Sequence, residues 1–358
     1  MIPEPQPRSS GIPRWWGILL ICAASLIISE SLHQRVQSRI AGSHAARSGE
    51  SQPLPPSVLA SQLRELQAKL SHYTELAPED LRAEIEKNPA LVALVTLCLA
   101  MPVLVFLGLV LFIWFLVRVQ KRRPVFAQAE GIEPKWSVWD AIVVLSFLIV
   151  VRRVFYQAVP DSSYKNVIVG FLVYLSSCLF GWYVVRVRYR QPAKAMGFRA
   201  DALGRNLGRG ILAYVAGYPL FVAAALINMV IATRLLGGGA VSGGGAIRYL
   251  TQAESPALIA LIAVLFVFIG PLAEEFLFRG LLYGALRKRL SARGAIGLSA
   301  VVFAGFHLNP YQFLPLCMIG LILGYLYEKT RSLVPTVFVH MLQNALAVLF
   351  VCLLKLAL

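Results

Sequence analysis

The C-terminal third of the chain keeps two adjacent carboxylates inside an apolar stretch. Glu274 and Glu275 are followed four residues later by Arg279, and the sequence around them is almost entirely apolar. A charge at mid-depth in a membrane costs roughly 2.5–3.5 kcal/mol, so such residues are usually functional. Glu275 and Arg279 share one helix face and can pair. We expect Arg279 to hold Glu275 ionised and to leave Glu274 unpaired, as in sites that separate a base from a structural acid.

Two histidines and an amide follow on later apolar stretches. His307 comes four residues after Phe303, and His340 and Asn344 are also four residues apart. Each motif alone is compatible with a structural hydrogen bond between membrane helices. Together with the two acids, however, they provide a base, an electrophilic partner and oxyanion donors. The set therefore favours hydrolytic chemistry.

The order of these motifs resembles a known family. EExxxR, FxxxH and HxxxN occur in this order, each on an apolar helix, in the CPBP intramembrane proteases, also called the Abi family, which are relatives of the type II CAAX prenyl endopeptidases. The resemblance covers roughly residues 256–350. It implies hydrolysis of a peptide bond within or at the edge of the membrane, with Glu274 and His307 activating the attacking water.

The resemblance also implies roles for the other motif residues. His340 and Asn344 would stabilise the oxyanion, while Glu275 and Arg279 would hold the site together. The expected partners are membrane lipid and a peptide or lipidated protein substrate. The family is named for metalloproteases, which raises the question of a metal ion.

A zinc site is an open alternative. Glu274, His307 and His340 would form a His₂Glu ligand set with a free fourth position. The chain lacks HExxH, the motif of the usual zinc-protease helix. A glutamate and a water can also hydrolyse a peptide bond without an ion. Because Asn344 shares a helix face with His340 and an amide is a poor zinc ligand, the pattern slightly favours metal-free chemistry.

Two other functions compete with this interpretation. Ser299 with His340 would suit a rhomboid-like serine protease, but Ala300 follows the serine where a glycine is expected, and the glutamates would have no role. A proton-coupled transporter or a non-catalytic membrane scaffold would use Glu274 and Glu275 as a proton relay. The absence of a repeated half in the sequence speaks against transport.

The elements that must position these residues are membrane helices. Of the 358 residues, 58% are hydrophobic and 15% charged, against about 45–50% and 25% in soluble domains. The apolar residues fall in runs long enough to cross about 30 Å of hydrocarbon. We therefore predict an all-α, polytopic transmembrane bundle. Its nine expected spans are about 15–29, 90–117, 137–157, 165–185, 211–235, 257–277, 294–307, 313–327 and 334–354.

The chain divides into two expected parts. Residues 1–135 would hold an uncleaved membrane anchor, an extracytoplasmic loop at 30–89 with a small extramembrane helical hairpin, and the second span. Residues 136–358 would form the membrane-embedded protease domain. None of the five cysteines lies in a CxxC pair, which argues against disulfides and thiolate zinc sites.

The basic residues predict the orientation. The net charge is +16, and the lysines and arginines concentrate in short loops, which is a topology signal rather than a nucleic-acid surface. We expect an integral, multi-pass protein of the cell (inner) membrane with a cytoplasmic N-terminus. The predicted cytoplasmic loops are 118–136, 186–207, 287–293 and 328–333.

Overall fold

The computed structural model describes residues 87–199, 202–236 and 245–357, together with five single positions between 68 and 80. The first expected span, the glycine-rich loop at 237–244 and nearly all of loop 30–89 with its helical hairpin lie outside the described residues. Every regular element in the described part is helical, as predicted.

The main helices follow the predicted spans closely. They are α1 Pro89–Gln120, α2 Val138–Ala158, α3 Lys165–Tyr183, α4 Leu203–Leu236, α5 Gly245–Gln252, α6 Pro256–Arg287, α7 Ala292–Phe306, α8 Phe313–Thr330 and α9 Leu333–Ala357. A π turn, Val184–Arg188, extends α3, and short 3₁₀ turns lie at Ala193–Met196 and Pro310–Gln312. The largest differences are that α5 lies between two predicted spans and was not predicted, that α4 begins at Leu203 rather than about 211, and that α6 continues to Arg287 rather than about 277.

Six helices of the described part are long and apolar enough to cross a membrane: α1, α3 with its π turn, α4, α6, α8 with the preceding 3₁₀ turn, and α9. The chain is therefore an integral, multi-pass membrane protein. Helix α7 is apolar but has only 15 residues, and α2 carries Arg152 and Arg153 near its end. The total of nine spans stays a prediction.

Polar side chains set the beginnings of the helices. Asn88 accepts a hydrogen bond from the backbone at the start of α1, and Ser255 and Ser291 do the same for α6 and α7. Ser137 and Asp140 form a reciprocal capping box at the start of α2. Each such cap is worth about 1 kcal/mol, because it satisfies backbone N–H groups that a helix start leaves unpaired. These caps fix the first turns of the four helices in the structure.

The bundle buries charged side chains in its interior and exposes large apolar side chains on its surface. Glu275 and Arg279 on α6 are completely buried, whereas Leu99 and Phe106 on α1 are 67% and 66% exposed. Exposed large apolar side chains also line α3 and α4. This distribution is the reverse of a soluble protein and fits a lipid environment.

Helices α7 and α8 pack closely against each other, and this packing places the backbone of α8 beside α6. A Cβ atom added to Gly320 would lie 3.0 Å from both Cα and Cβ of Ala300, and one added to Gly324 would lie 3.2 Å from Cγ2 of Ile296. Small residues at such positions let membrane helices approach. The approach brings the carbonyl of Gly320 within reach of Arg279.

The four predicted cytoplasmic loops meet at one end of the bundle, which is called the basic end below. The side chain of Gln191 donates to the carbonyl of Glu133 at 2.9 Å, and the backbone of Leu333 donates to Gly197 at 2.8 Å. Lys288 donates to the carbonyl of Trp136 at 3.2 Å. These contacts join loops 121–137, 189–199, 288–291 and 331–332. Their assignment to the cytoplasm stays a prediction.

Candidate active site

Helix α6 departs from α-helical geometry on both sides of the two glutamates. Its π segments, Leu265–Ile269 and Phe276–Tyr283, flank the short α-helical segment Gly270–Glu275. The backbone N–H of Gly270 donates to the carbonyl of Leu265, five residues back. π insertions are rare and often occur at functional sites, because they alter which side chains face inward.

The first π segment leaves one backbone carbonyl without a donor from its own helix, and the side chain of Asn344 donates to that carbonyl instead. Gly270, the α-helical donor for the carbonyl of Phe266, donates to Leu265 instead. The next residue, Pro271, has no N–H. The Asn344 amide Nδ2 on α9 donates to the Phe266 carbonyl at 2.8 Å. A buried carbonyl without a partner would be costly, so this bond fixes both the π segment and the amide.

Glu275 and Arg279 form the ion pair expected from their spacing. Arg279 Nη1 donates to Glu275 Oε1 at 2.7 Å, and neither side chain is exposed at all. Arg279 Nη2 donates to the Gly320 carbonyl at 3.2 Å. The guanidinium carbon also lies 4.7 Å from the ring centroid of Phe303. The pair therefore ties α6 to α7 and α8.

His340 stands between the two glutamates. Its Nδ1 lies 3.0 Å from Glu275 Oε1, and its Nε2 lies 3.7 Å from Glu274 Oε2. The ionised carboxylate of Glu275, paired with Arg279, only accepts hydrogen bonds, so Nδ1 is the donor in that contact. Glu275 thus fixes the orientation of the imidazole ring and leaves Nε2 facing Glu274.

His307 approaches Glu274 from the other side. It is the first residue after α7, and its Nδ1 lies 2.8 Å from the carbonyl of Phe303. A carbonyl only accepts, so Nδ1 carries the proton and Nε2 is free. His307 Nε2 lies 3.9 Å from Glu274 Oε2. With its side chain 30% exposed, His307 forms the more open side of the site.

Glu274 has one oxygen bound and the other unbound. Tyr174 on α3 donates its hydroxyl to Glu274 Oε1 at 2.5 Å. Glu274 Oε2 lies 3.7 and 3.9 Å from the two imidazole Nε2 atoms, which is too far for direct hydrogen bonds. Polar atoms at such a separation are commonly bridged by a water. The arrangement can hold a water against a carboxylate and two imidazoles.

Tyr174 did not emerge from the sequence. It lies in an apolar run 100 residues before its partner, with no motif spacing to mark it. The contact between Asn344 and Phe266 likewise joins residues 78 positions apart. The six predicted site residues do converge. Arg279, His307 and His340 each lie within 4 Å of Glu274 or Glu275. Asn344 binds the adjoining π segment.

Ser299 is not placed as a nucleophile. Its side chain is buried, and its hydroxyl donates to the carbonyl of Ile296 within α7 at 3.1 Å. Both nitrogens of His340 face glutamates instead. The geometry thus gives no support to the serine-protease alternative.

The site has donor types suited to zinc, but not the spacing. Two imidazoles and a carboxylate are common zinc ligands. The described residues nevertheless contain no group of three or more His, Cys, Asp or Glu placed to hold a metal ion. The separations of 3.7 and 3.9 Å from Glu274 Oε2 to the histidines exceed the spacing of about 3.4 Å between ligands held tetrahedrally at about 2.0–2.1 Å. Zinc binding by Glu274, His307 and His340 therefore stays a prediction.

Comparison with known proteins identifies the same part of the chain. Residues 256–346 match the family model of type II CAAX prenyl endopeptidases, Rce1-like. The chain is 28% identical over 141 residues to the membrane-embedded CAAX protease MroQ of Staphylococcus aureus (strain USA300). This alignment covers 37% of the chain and 55% of the relative. It is 26% identical over 91 residues to the proposed membrane peptidase YdiL of Bacillus subtilis (strain 168), covering 25% of this chain and 37% of the relative. No solved structure matches.

The matched segment coincides with the site. It begins at the first residue of α6 and ends within α9, so it contains all six predicted site residues. The alignments span about half of one relative and just over a third of the other. Residues 256–346 of this membrane protein are thus an Rce1-like domain of the type II CAAX prenyl endopeptidase family.

Proposed function

We propose that the protein is an intramembrane endopeptidase that hydrolyses a peptide bond of a membrane-associated substrate with a water activated by Glu274. The observation that carries this proposal is the unbound Oε2 of Glu274, which faces Nε2 of His340 at 3.7 Å and Nε2 of His307 at 3.9 Å. A water beside these three atoms would direct its two protons to Glu274 Oε2 and His307 Nε2 and keep a lone pair free to attack.

The water step divides between Glu274 and His307. Glu274 takes one proton as the water oxygen attacks the carbonyl carbon of the substrate, and the unprotonated Nε2 of His307 accepts the other water hydrogen and orients the nucleophile. Glu274 then transfers its proton to the leaving amine nitrogen, which restores the carboxylate. General-base assistance of this kind is typically worth about 10²–10⁴-fold in rate.

Stabilisation of the oxyanion falls to His340 and Asn344. His340 can donate from Nε2 only as an imidazolium, and the carboxylates of Glu275 and Glu274 next to the ring compensate that charge. The Asn344 amide has two N–H bonds, of which one goes to Phe266, and the second is available to an oxyanion. Donors fixed in this way before the reaction contribute about 2.7–4 kcal/mol each to transition-state stabilisation.

The remaining contacts orient the reacting groups. Tyr174 holds Oε1 of Glu274 and so directs Oε2 to the water. Arg279 holds Glu275, which in turn holds His340. The substrate is proposed to be a peptide or a lipidated protein at the membrane, and the relative MroQ, whose name is that of a CAAX protease, supports this class.

The test compares two variants in which a glutamate is replaced by glutamine. The purified chain and its Glu274→Gln variant are incubated in liposomes with farnesylated CAAX peptides and with unmodified hydrophobic peptides, and cleavage is followed by mass spectrometry. Glu254→Gln, which changes an exposed glutamate just before α6, is the matched control. We expect cleavage by the wild type and the control and none by Glu274→Gln at equal folding.

Wild-type turnover in Glu274→Gln would disprove the assigned base. Proton uptake into vesicles by the wild type without any cleavage would support the transporter alternative instead.

A further inference from the structure

An apolar groove lies between α1, α4 and α8, and none of the proposed site residues lines it. Its volume is about 290 Å³, and its walls are aliphatic and aromatic almost throughout, with Trp114, Ala213 and Ile322 as examples from the three helices. Phe126, from the loop after α1, also lines the groove. This volume is close to the lower limit of ligand pockets, roughly 300 Å³. Such a groove at membrane depth accepts hydrocarbon.

Two arginines are fixed at the end of the groove that belongs to the basic end. The guanidinium of Arg118 lies 5.2 Å from the ring centroid of Trp114, and that of Arg209 lies 5.8 Å from the ring centroid of Phe126. Arg118 also donates to the carbonyl of Pro124 at 3.1 Å. Since both rings line the groove, both positive charges stand at its mouth.

Neither charge is neutralised within the described part of the chain. No Asp or Glu there forms an ion pair with Arg118 or Arg209, although other arginines of the basic end, such as Arg287 and Arg331, pair with Glu328. The Nε of Arg118 is buried and has no hydrogen-bond partner. Among the described residues, the hydrogen bonding of Arg209 consists of one long contact of 3.5 Å to the side-chain oxygen of Asn206. Uncompensated guanidinium groups beside a hydrocarbon groove call for an anionic group attached to an apolar chain.

We propose that this groove binds one anionic phospholipid, with an acyl chain between α1, α4 and α8 and its phosphate at Arg118 and Arg209. Basic pockets between membrane helices recognise phospholipid head groups in this way. A zwitterionic lipid would fill the same groove but would gain less from the two charges, because its head group carries a compensating cation. The site therefore selects by charge rather than by chain.

The bound lipid would support the helix that anchors the active site. Ile322 and Tyr325 on α8 line the groove, while Gly320 on the same helix receives the hydrogen bond from Arg279. Filling the groove would thus limit the movement of α8 relative to α6. Lipid binding does not depend on the proposed catalytic activity and can be measured separately from it.

The experiment measures lipid retention by native mass spectrometry. The full chain is purified in detergent and exposed to equal amounts of dioleoyl phosphatidylglycerol and dioleoyl phosphatidylcholine. We expect one phosphatidylglycerol to be retained with about a thirty-fold preference, since each arginine near an anionic surface contributes roughly 1 kcal/mol. Arg118→Gln with Arg209→Gln should abolish the preference. Arg152→Gln with Arg153→Gln, which removes two exposed arginines of α2, should leave it unchanged.

A second variant tests the groove rather than the charges. Ala213→Phe fills the apolar part and should reduce retention of both lipids, with monodispersity on size-exclusion chromatography as the check of folding. Equal retention of the two lipids by the wild type would overturn the proposal, as would an equal loss of preference in the α2 control. Displacement of the lipid by a farnesylated peptide, or by dimerisation of the chain, would also overturn it and would name the true occupant.

Discussion

The polar cluster within α6 and the polar cluster at the basic end both centre on a glutamate that accepts a hydrogen bond from a tyrosine. Glu274 accepts from Tyr174 at 2.5 Å, and Glu328 accepts from Tyr283 at 2.7 Å. Their other neighbours differ. Glu328 is also bound by Arg331 at 2.7 Å and by a second arginine at 3.4 Å, whereas Glu274 has no arginine or lysine paired with it among the described residues and keeps Oε2 unbound.

The difference separates a structural carboxylate from a reactive one. A carboxylate held by two guanidinium groups has its charge compensated and its lone pairs occupied, so it is a poor base. A carboxylate oxygen that faces two imidazoles at 3.7 and 3.9 Å, without a direct hydrogen bond to either, retains a lone pair for chemistry. In this molecule a buried glutamate alone would not identify the active site, because Glu275 and Glu328 are both buried and Glu274 is only half-buried.

The largest expected effect comes from removing the cation of the α6 cluster. Arg279→Ala leaves the charge of Glu275 buried with only His340 beside it, and a broken buried pair costs about 3–5 kcal/mol. Thermal unfolding in detergent should therefore shift strongly downward, and activity should fall with it. Arg289→Ala, at an exposed loop position, is the control. Glu275→Gln should lower stability and activity as well, since it strands the buried guanidinium. An unchanged melting temperature in Arg279→Ala would show that the ion pair is not structural.

His340 sharpens the comparison because its role differs with and without a metal ion. We expect His340→Ala to slow peptide hydrolysis by about 10²–10³-fold, the usual cost of one oxyanion donor, and to leave metal content unchanged. Asn344→Ala should slow the reaction for the same reason. Elemental analysis of the purified wild type and of His340→Ala is the measurement. One equivalent of tightly bound zinc in active wild type, lost in His340→Ala, would show instead that Glu274, His307 and His340 are ligands.

The helices and the ion pair of the α6 cluster could be predicted from the sequence, because both depend on local patterns. Apolar runs indicate the helices, and the i,i+4 spacing of Glu275 and Arg279 still forms a pair in the π segment. The cluster around Glu328 was not predicted. The bond from Tyr174 to Glu274 and the bond from Asn344 to Phe266 could not be predicted. They depend on how α3 and α9 pack against α6, and a single sequence does not specify that packing.

Glu328 provides the opposite test at the basic end. Glu328→Gln should destabilise the protein by about 1–3 kcal/mol, the cost of a buried group that loses its partner. The loss stays in this range because Arg287 and Arg331, at 35% and 23% exposure, can still be hydrated. Peptide hydrolysis per folded molecule should change little. Activity and melting temperature measured on the same preparation separate the two effects. Loss of turnover in a fully folded Glu328→Gln would break the distinction between the clusters.

The smallest expected effect comes from the tyrosine of the α6 cluster. Tyr174→Phe removes one hydroxyl from Oε1 of Glu274 and keeps the ring. We expect kcat to fall about tenfold, equivalent to roughly 1.4 kcal/mol, near the lower range for a hydrogen bond to a charged group. KM should stay constant, because Tyr174 orients the base and does not contact the substrate, and the melting temperature should fall only slightly from the loss of one hydrogen bond. Tyr156→Phe, at an exposed position on α2, is the matched control. A wild-type kcat in Tyr174→Phe would show that this hydroxyl does not direct the base, and the two glutamate–tyrosine pairs would then not be comparable in function.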